Sequence, residues 1–297
     1  MSAPELLAIG ETMAMVTPTT AESLVDADVF RLDAGGAESN VAAHVAAGGH
    51  RAGWFSRLGD DPLGHRVARL LASRGVDVST VEFDPHHPTG VYFKDPGRPV
   101  RYYRAGSAAA HLSAADAEAV VLDGVRIVHV SGITAAISTS ASGFLARIID
   151  RAHAAGALVS FDVNYRSALW SVADAAAPLE DLARRADIVF VGWDEAETLW
   201  ATPDAPAVRA HFPEVAELVV KDGDIGATTY VGTDETFEPA LRVDVVEAVG
   251  AGDAFAGGYL AKLLDGAPLT ERLRAGHARA ALTLQTTGDS VDEEENA

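Results

Sequence analysis

Short β-branched runs ending at glycine or a small polar residue recur along the chain. Leu6 to Ile9 stops at Gly10, Val125 to Val130 at Ser131-Gly132, Leu158 to Val163 at Asn164, Ile188 to Val191 at Gly192, and Leu218 to Val220 at Lys221-Asp222-Gly223. Their length and composition predict buried strands. Between several of them, apolar residues take helical spacing. Val41 and Val45 mark one helix. Val67, Leu70 and Leu71 mark a second, opened by Asp61-Pro62 with proline at the first helical position. Phe144, Leu145, Ile148 and Ile149 mark a third. Strand and helix in alternation predict an α/β fold, a doubly wound and mainly parallel sheet with helices on both faces. Two stretches break the alternation, about 13–32 and 89–104. In the second, Val91-Tyr92-Phe93, the turn Pro96-Gly97 and Val100 to Tyr103 read as a hairpin. These stretches predict a small β-sheet lid on a single domain spanning 1–297. The acidic tail from Asp289 reads as frayed.

Composition narrows the function. The net charge is −20 over 297 residues, which repels nucleic-acid phosphate and argues against nucleic-acid partners. There is no cysteine, so disulfide and thiolate chemistry are excluded. No apolar run reaches membrane-spanning length, and the N-terminus reads as a first strand with no basic segment before it. A soluble, cytoplasmic protein without membrane partners is expected. The histidines lack metal-ligand spacing.

The most informative stretch is Gly250-Ala251-Gly252-Asp253, followed by Phe255, Tyr259, Leu260, Leu263 and Leu264 at helical spacing. Small residues leading into a helix start leave backbone N–H groups free to meet an anion, and the helix dipole favours one there. Asp253, at the same helix end, could accept a proton from an attacking hydroxyl. Plain helix capping is the alternative for the same residues. No Gly-Lys pair and no G-x-G-x-x-G after a strand compete as nucleotide motifs.

Gly250-Ala251-Gly252-Asp253 resembles the C-terminal signature of the ribokinase-like (PfkB) carbohydrate kinases. Gly35-Gly36-Ala37-Glu38-Ser39-Asn40, with Leu58-Gly59-Asp60-Asp61-Pro62-Leu63-Gly64, resembles their N-terminal signature. The resemblance runs from about residue 5 to 288. It implies a sugar kinase with Asp253 as base and residues 250–252 as anion hole, using ATP and Mg2+. Tyr102 to Ala108, Ser131-Gly132-Ile133-Thr134 and Asp162-Val163-Asn164-Tyr165-Arg166 are similar to 2-keto-3-deoxygluconate kinases. That similarity implies a sugar acid surrounded by Gly36, Asn40, Tyr92, Tyr102, Arg104, Ile133, Arg166 and Asp253. The two arginines carry the physical content, because a guanidinium can grip a carboxylate bidentately and a neutral sugar needs no cation. Surface arginines and hairpin-packing tyrosines are the bland alternatives.

On the nucleotide side the resemblance points to Gly192, Lys221, Gly223, Gly226 and His277. The 221–226 segment also reads as a simple hairpin turn, and His277 as a surface residue. Glu195 matches the acidic residue that orders magnesium-bound water, although Gly192 stands where the family has asparagine. Glu247-Ala248 departs from the usual Asp-Thr or Asp-Pro, which leaves monovalent-cation activation open. Association of copies through the lid is also left open. A neutral-sugar kinase on the same fold, with fructose or ribose as substrate, and a silent sugar- or nucleotide-binding regulator are the rival readings.

Overall fold

The computed structural model describes residues 3–286; the acidic tail lies outside the described residues. Nine strands form the main sheet. Seven of them run parallel, in the spatial order Glu217–Asp222, Ile188–Gly192, Leu158–Asp162, Ile127–Ser131, Leu6–Ile9, Ala52–Phe55 and Val76–Asp77. Gly226–Val231 and Asp234–Pro239 add two antiparallel strands at one edge.

Side-chain alternation along each strand divides the core in two. Leu7 and Ile9 point to one face, Leu6 and Ala8 to the other; Val189 and Val191 oppose Ile188 and Phe190. This is the period of two that any strand imposes. Helices Thr139–Ala154 and Val172–Arg184 cover the first face. Helices Ala37–Ala47, Pro62–Ser73, Ala251–Leu264 and Leu269–Leu284 cover the second. The fold is therefore doubly wound, as expected. The Pro62–Ser73 helix starts as its sequence dictates, with Asp61 accepting from Gly64 N–H at 2.8 Å and proline in the first turn.

The irregular stretches form a separate four-stranded sheet, in the order Phe30–Gly35, Met13–Pro18, Val91–Phe93, Arg101–Tyr103. Val91–Phe93 and Arg101–Tyr103 pair antiparallel, with Tyr92 opposite Tyr102, as the hairpin pattern predicts. The Phe30–Gly35 strand runs three residues past the expected 13–32 stretch, because Asp33, Ala34 and Gly35 pair with Met15, Ala14 and Met13.

Strand order fixes where a ligand can sit. From Leu6–Ile9 the chain works outward through Ala52–Phe55 to Val76–Asp77, then returns to place Ile127–Ser131 on the other side of the first strand. At such a switch point the loops beyond the carboxyl ends of adjacent strands diverge and open a crevice. The Glu38 carboxyl is fully buried where these two strands end. It lies against Gly10, where a Cβ would come within 2.1 Å of it, and accepts from Ser131 Oγ at 2.6 Å and Thr134 Oγ1 at 3.0 Å. Burial pushes its protonation upward against those two hydrogen bonds.

Two helices on the second face approach unusually closely. A Cβ at Gly257 would stand 2.4 Å from His44 Cβ. His44 is buried, and burial together with the Arg279 and Arg74 charges holds its pKa down to about 3, so it accepts from Arg279 Nε at 3.1 Å as a neutral ring. Gly257→Ala should gain about 1 kcal/mol of helix propensity and lose more to the clash, for a net destabilisation of about 1–3 kcal/mol. Urea unfolding of both proteins measures it; equal or greater stability in the variant would contradict the close approach.

Candidate active site

A cavity of about 380 Å³ opens at the switch point, a size suited to a small molecule. Gly36, Asn40, Tyr92, Tyr102, Arg104, Ile133, Arg166, Gly250 and Asp253 all line it. These residues come from the start of one helix, the small sheet and its exit, the start of the Gly132–Ile137 helix, the loop after Leu158–Asp162 and the start of Ala251–Leu264. A larger hollow of about 700 Å³ lies between the small sheet and residues 246–249. It touches neither Asn40 nor Asp253, so the smaller cavity is where the chemistry can occur.

Gly250 takes φ +84°, the left-handed conformation that glycine tolerates without cost, and starts the Ala251–Leu264 helix with no capping side chain. The first-turn N–H groups of any helix lack intrahelical partners; here Gly250 offers no capping side chain, and the Ala251 N–H reaches the Ala248 carbonyl at 3.4 Å. A Cβ at Gly252 would meet nothing closer than Lys221 Nζ, at 3.6 Å. The helix start thus faces an ammonium across open space.

Asp253 accepts from Asn40 Nδ2 at 2.9 Å. Burial pushes its pKa up to about 7, and the Asp162 charge adds to the rise. The Asn40 hydrogen bond and the Arg166 and Lys221 charges oppose it. A carboxyl poised near neutrality is suited to exchanging a proton.

Lys221 Nζ pairs with Asp162 Oδ2 at 2.9 Å. Burial alone would depress this lysine, but the Asp162 and Glu195 carboxylates outweigh it and hold the ammonium charged. Glu195 is raised by burial and by Asp162. One of its oxygens accepts from Gly192 N–H at 2.9 Å and the other lies 3.7 Å from Arg166 Nη1. Asp162 Oδ1 is buried without a hydrogen-bond partner. Asn164, at φ +43°, turns the chain sharply between Asp162 and Arg166, a strained conformation for a residue other than glycine.

The nucleotide-side candidates fall elsewhere. Gly192, Lys221, Gly223, Gly226 and His277 do not line the cavity. The turn at 222–226 joins two antiparallel strands, so the hairpin reading holds there. His277 is not on the surface. It is buried, with Nε2 3.0 Å from the Glu238 carbonyl and its ring edge-on to Phe255. Glu247, the departure from the family signature, pairs with Lys94 Nζ of the small sheet at 2.9 Å.

Two buried carboxyl groups that support the site were not among the candidate residues. Glu11 lines the wall and contacts Arg104 Nη2. Glu38 ties the helix bearing Asn40 to the Gly132–Ile137 helix bearing Ile133. A carboxylate directly after an apolar strand is a weak signal for the first, and glutamate within Gly-Gly-Ala-Glu is the only signal for the second.

A family model described as pfkB family carbohydrate kinase matches residues 3–296. A 2-dehydro-3-deoxygluconokinase of Bacillus subtilis is 36% identical, over 96% of this chain and 91% of its own length. A fructokinase of Oryza sativa is 32% identical, over 95% of this chain and 92% of its own. The crystal structure of a 2-dehydro-3-deoxygluconokinase from Thermotoga maritima superposes with a TM-score of 0.89 at 25% identity, covering 97% of this chain and 96% of that one.

Carboxyl-selective NMR should find Asp253 titrating with a midpoint near 7. Asn40→Ala should move the midpoint up to roughly 8, as loss of about 1.4 kcal/mol of charge-assisted hydrogen bonding would. A midpoint near 4 in the parent protein, or a downward move in the variant, would contradict this account of the site.

Proposed function

The chain belongs to the pfkB family of carbohydrate kinases, and on that premise we propose that it transfers the γ-phosphoryl group of ATP to a primary hydroxyl of a sugar acid, 2-keto-3-deoxygluconate. One observation carries the reading: Arg104 and Arg166 line the same cavity as Asp253. A guanidinium on the cavity wall suits a substrate carboxylate, while Asp253 suits the hydroxyl at the other end. The 2-dehydro-3-deoxygluconokinase of B. subtilis, whose name describes action on that acid, supports the same choice over a neutral sugar.

Asp253 takes the hydroxyl proton as the oxygen attacks the γ-phosphorus, and the bond from that phosphorus to the β,γ-bridging oxygen breaks to release ADP. The backbone N–H groups of 250–252 and the Lys221 ammonium then meet the charge on the transferred group. The described residues include no cluster of three or more carboxylates and histidines able to hold a metal ion directly. The unpartnered Asp162 Oδ1 and the neighbouring Glu195 instead fit a magnesium ion reached through water. Such an ion, when bound with ATP, offsets phosphate charge. The small sheet covers the cavity and would keep water from the γ-phosphate.

Asp253→Asn should leave the fold and ATP binding in place while lowering kcat by about 10²–10⁴, the usual contribution of a general base. Retention of more than roughly a tenth of turnover would make Asp253 a helix cap only. In the parent protein, kcat/KM should rise with pH through about 7, since the carboxyl must be ionised to accept a proton. A flat profile between pH 5 and 8 would fail that test.

Substrate class is tested by Arg104. Arg104→Ala should raise KM for the sugar acid about ten- to a hundred-fold, with Arg104→Lys intermediate, because charge-assisted hydrogen bonds contribute roughly 1.5–3 kcal/mol each. Equal losses with fructose would mean that Arg104 serves the small sheet or the phosphate. A parent enzyme preferring fructose or ribose would overturn the sugar acid and leave the kinase intact.

A further inference from the structure

Arg104 is held from behind. Glu11 follows the Leu6–Ile9 strand directly after Gly10 and is only 2% exposed. One of its oxygens contacts Arg104 Nη2 and the other accepts from Ser107 Oγ. Arg104 leaves the last strand of the small sheet, Arg101–Tyr103, and Ser107 opens the short helix Ala108–His111. A single carboxylate just past the end of the Leu6–Ile9 strand therefore fixes both the guanidinium and the segment by which the chain leaves the small sheet. The guanidinium also stands over the Tyr102 ring, 5.8 Å from its centroid. Its Nη2 meets Glu11 as an ion pair without a hydrogen bond, and its buried Nε has no hydrogen-bond partner. A buried donor left unsatisfied is costly, and this one belongs to a side chain that lines the cavity.

We infer that Glu11 is a positioning residue for acid recognition: it grips one edge of Arg104 so that the remaining donors of the fork are presented to the carboxylate of the sugar acid. The inference rests on the sugar-acid reading above. Two opposing effects decide its sign. The Glu11 charge weakens the attraction of the guanidinium for a second anion. Its grip removes the rotamer freedom of a long side chain before the substrate arrives, and a planar fork helps only when it is correctly oriented. Glu11 accepts a hydrogen bond from Ser107 and sits in an ion pair with Arg104, so much of its charge is compensated. Orientation is then the larger effect.

The test is steady-state kinetics with 2-keto-3-deoxygluconate and ATP, on the parent, Glu11→Gln, Arg104→Ala and the double variant. Glutamine keeps the size and can still accept from Ser107, but it lacks the charge that holds the guanidinium. Glu11→Gln should raise KM for the sugar acid by about tenfold, with kcat changed less than about threefold and KM for ATP less than about twofold, the pattern of lost ground-state binding. The double variant should match Arg104→Ala within about twofold, because a residue acting only through Arg104 has nothing left to position. An unchanged KM, a lowered KM or additive losses would each overturn the inference. If Glu11→Gln fails to give a cooperative thermal transition, Ser107→Ala carries the test. It keeps the charge, removes one hydrogen bond from the carboxylate, and should raise the same KM by about threefold without further effect on Arg104→Ala; no rise would overturn the inference. A parent enzyme that phosphorylates fructose but not the sugar acid would fail the sugar-acid reading itself, before any variant is compared.

Discussion

The site depends on how closely two helices can lie. Asn40 comes from the Ala37–Ala47 helix and Asp253 from Ala251–Leu264, and they meet at 2.9 Å across a boundary between segments far apart in the chain. That distance is possible because Gly257 gives its space to His44. With any side chain there, the helices must separate or slide, and the hydrogen bond that moderates Asp253 goes with them. Packing on the covered face of the sheet is thus the first determinant of the chemistry at its edge.

Charge is distributed against the average. The chain is strongly acidic, yet Arg104, Arg166 and Lys221 converge on one corner, each beside a carboxylate: Glu11, Glu195 and Asp162. Pairing allows these cations to be partly buried without an uncompensated charge. The balance differs from group to group. For Asp253, burial outweighs the neighbouring cations and the carboxyl rises. For Lys221, the neighbouring carboxylates outweigh burial and the ammonium stays charged. The same corner therefore holds one group ready to take a proton and another that keeps its own.

Much of this was legible in the sequence. The five β-branched runs are strands, and the four helical patterns are helices. The residues that the family resemblance placed around a sugar acid do share a cavity. Other elements left no such mark. Ala52–Phe55 carries Gly53 and no β-branched residue, Val76–Asp77 is two residues long, and Asp234–Pro239 is a largely exposed edge strand with three acidic side chains. None presents the apolar run by which a strand is recognised, and long-range pairing supplies what local pattern lacks. Glu11 and Glu38 were missed for a related reason. A glutamate beside an apolar run ordinarily lies in water, and only tertiary placement buries these two. His277 illustrates the converse: a helical histidine read as a nucleotide-side candidate, with a surface residue as the alternative, packs inside against Phe255.

The ion pair between Lys94 and Glu247 crosses from the small sheet to the loop three residues before Gly250. Lys94 is buried, with 6% of its side chain exposed, so dissolved salt screens this contact poorly. Any movement that lifts the small sheet from the cavity must part the two charges or carry residues 247–250 along with it. Admission of a substrate and loosening of the turn at 247–250 are in that sense mechanically geared, and the departure of a phosphorylated product must work through the same gear in reverse.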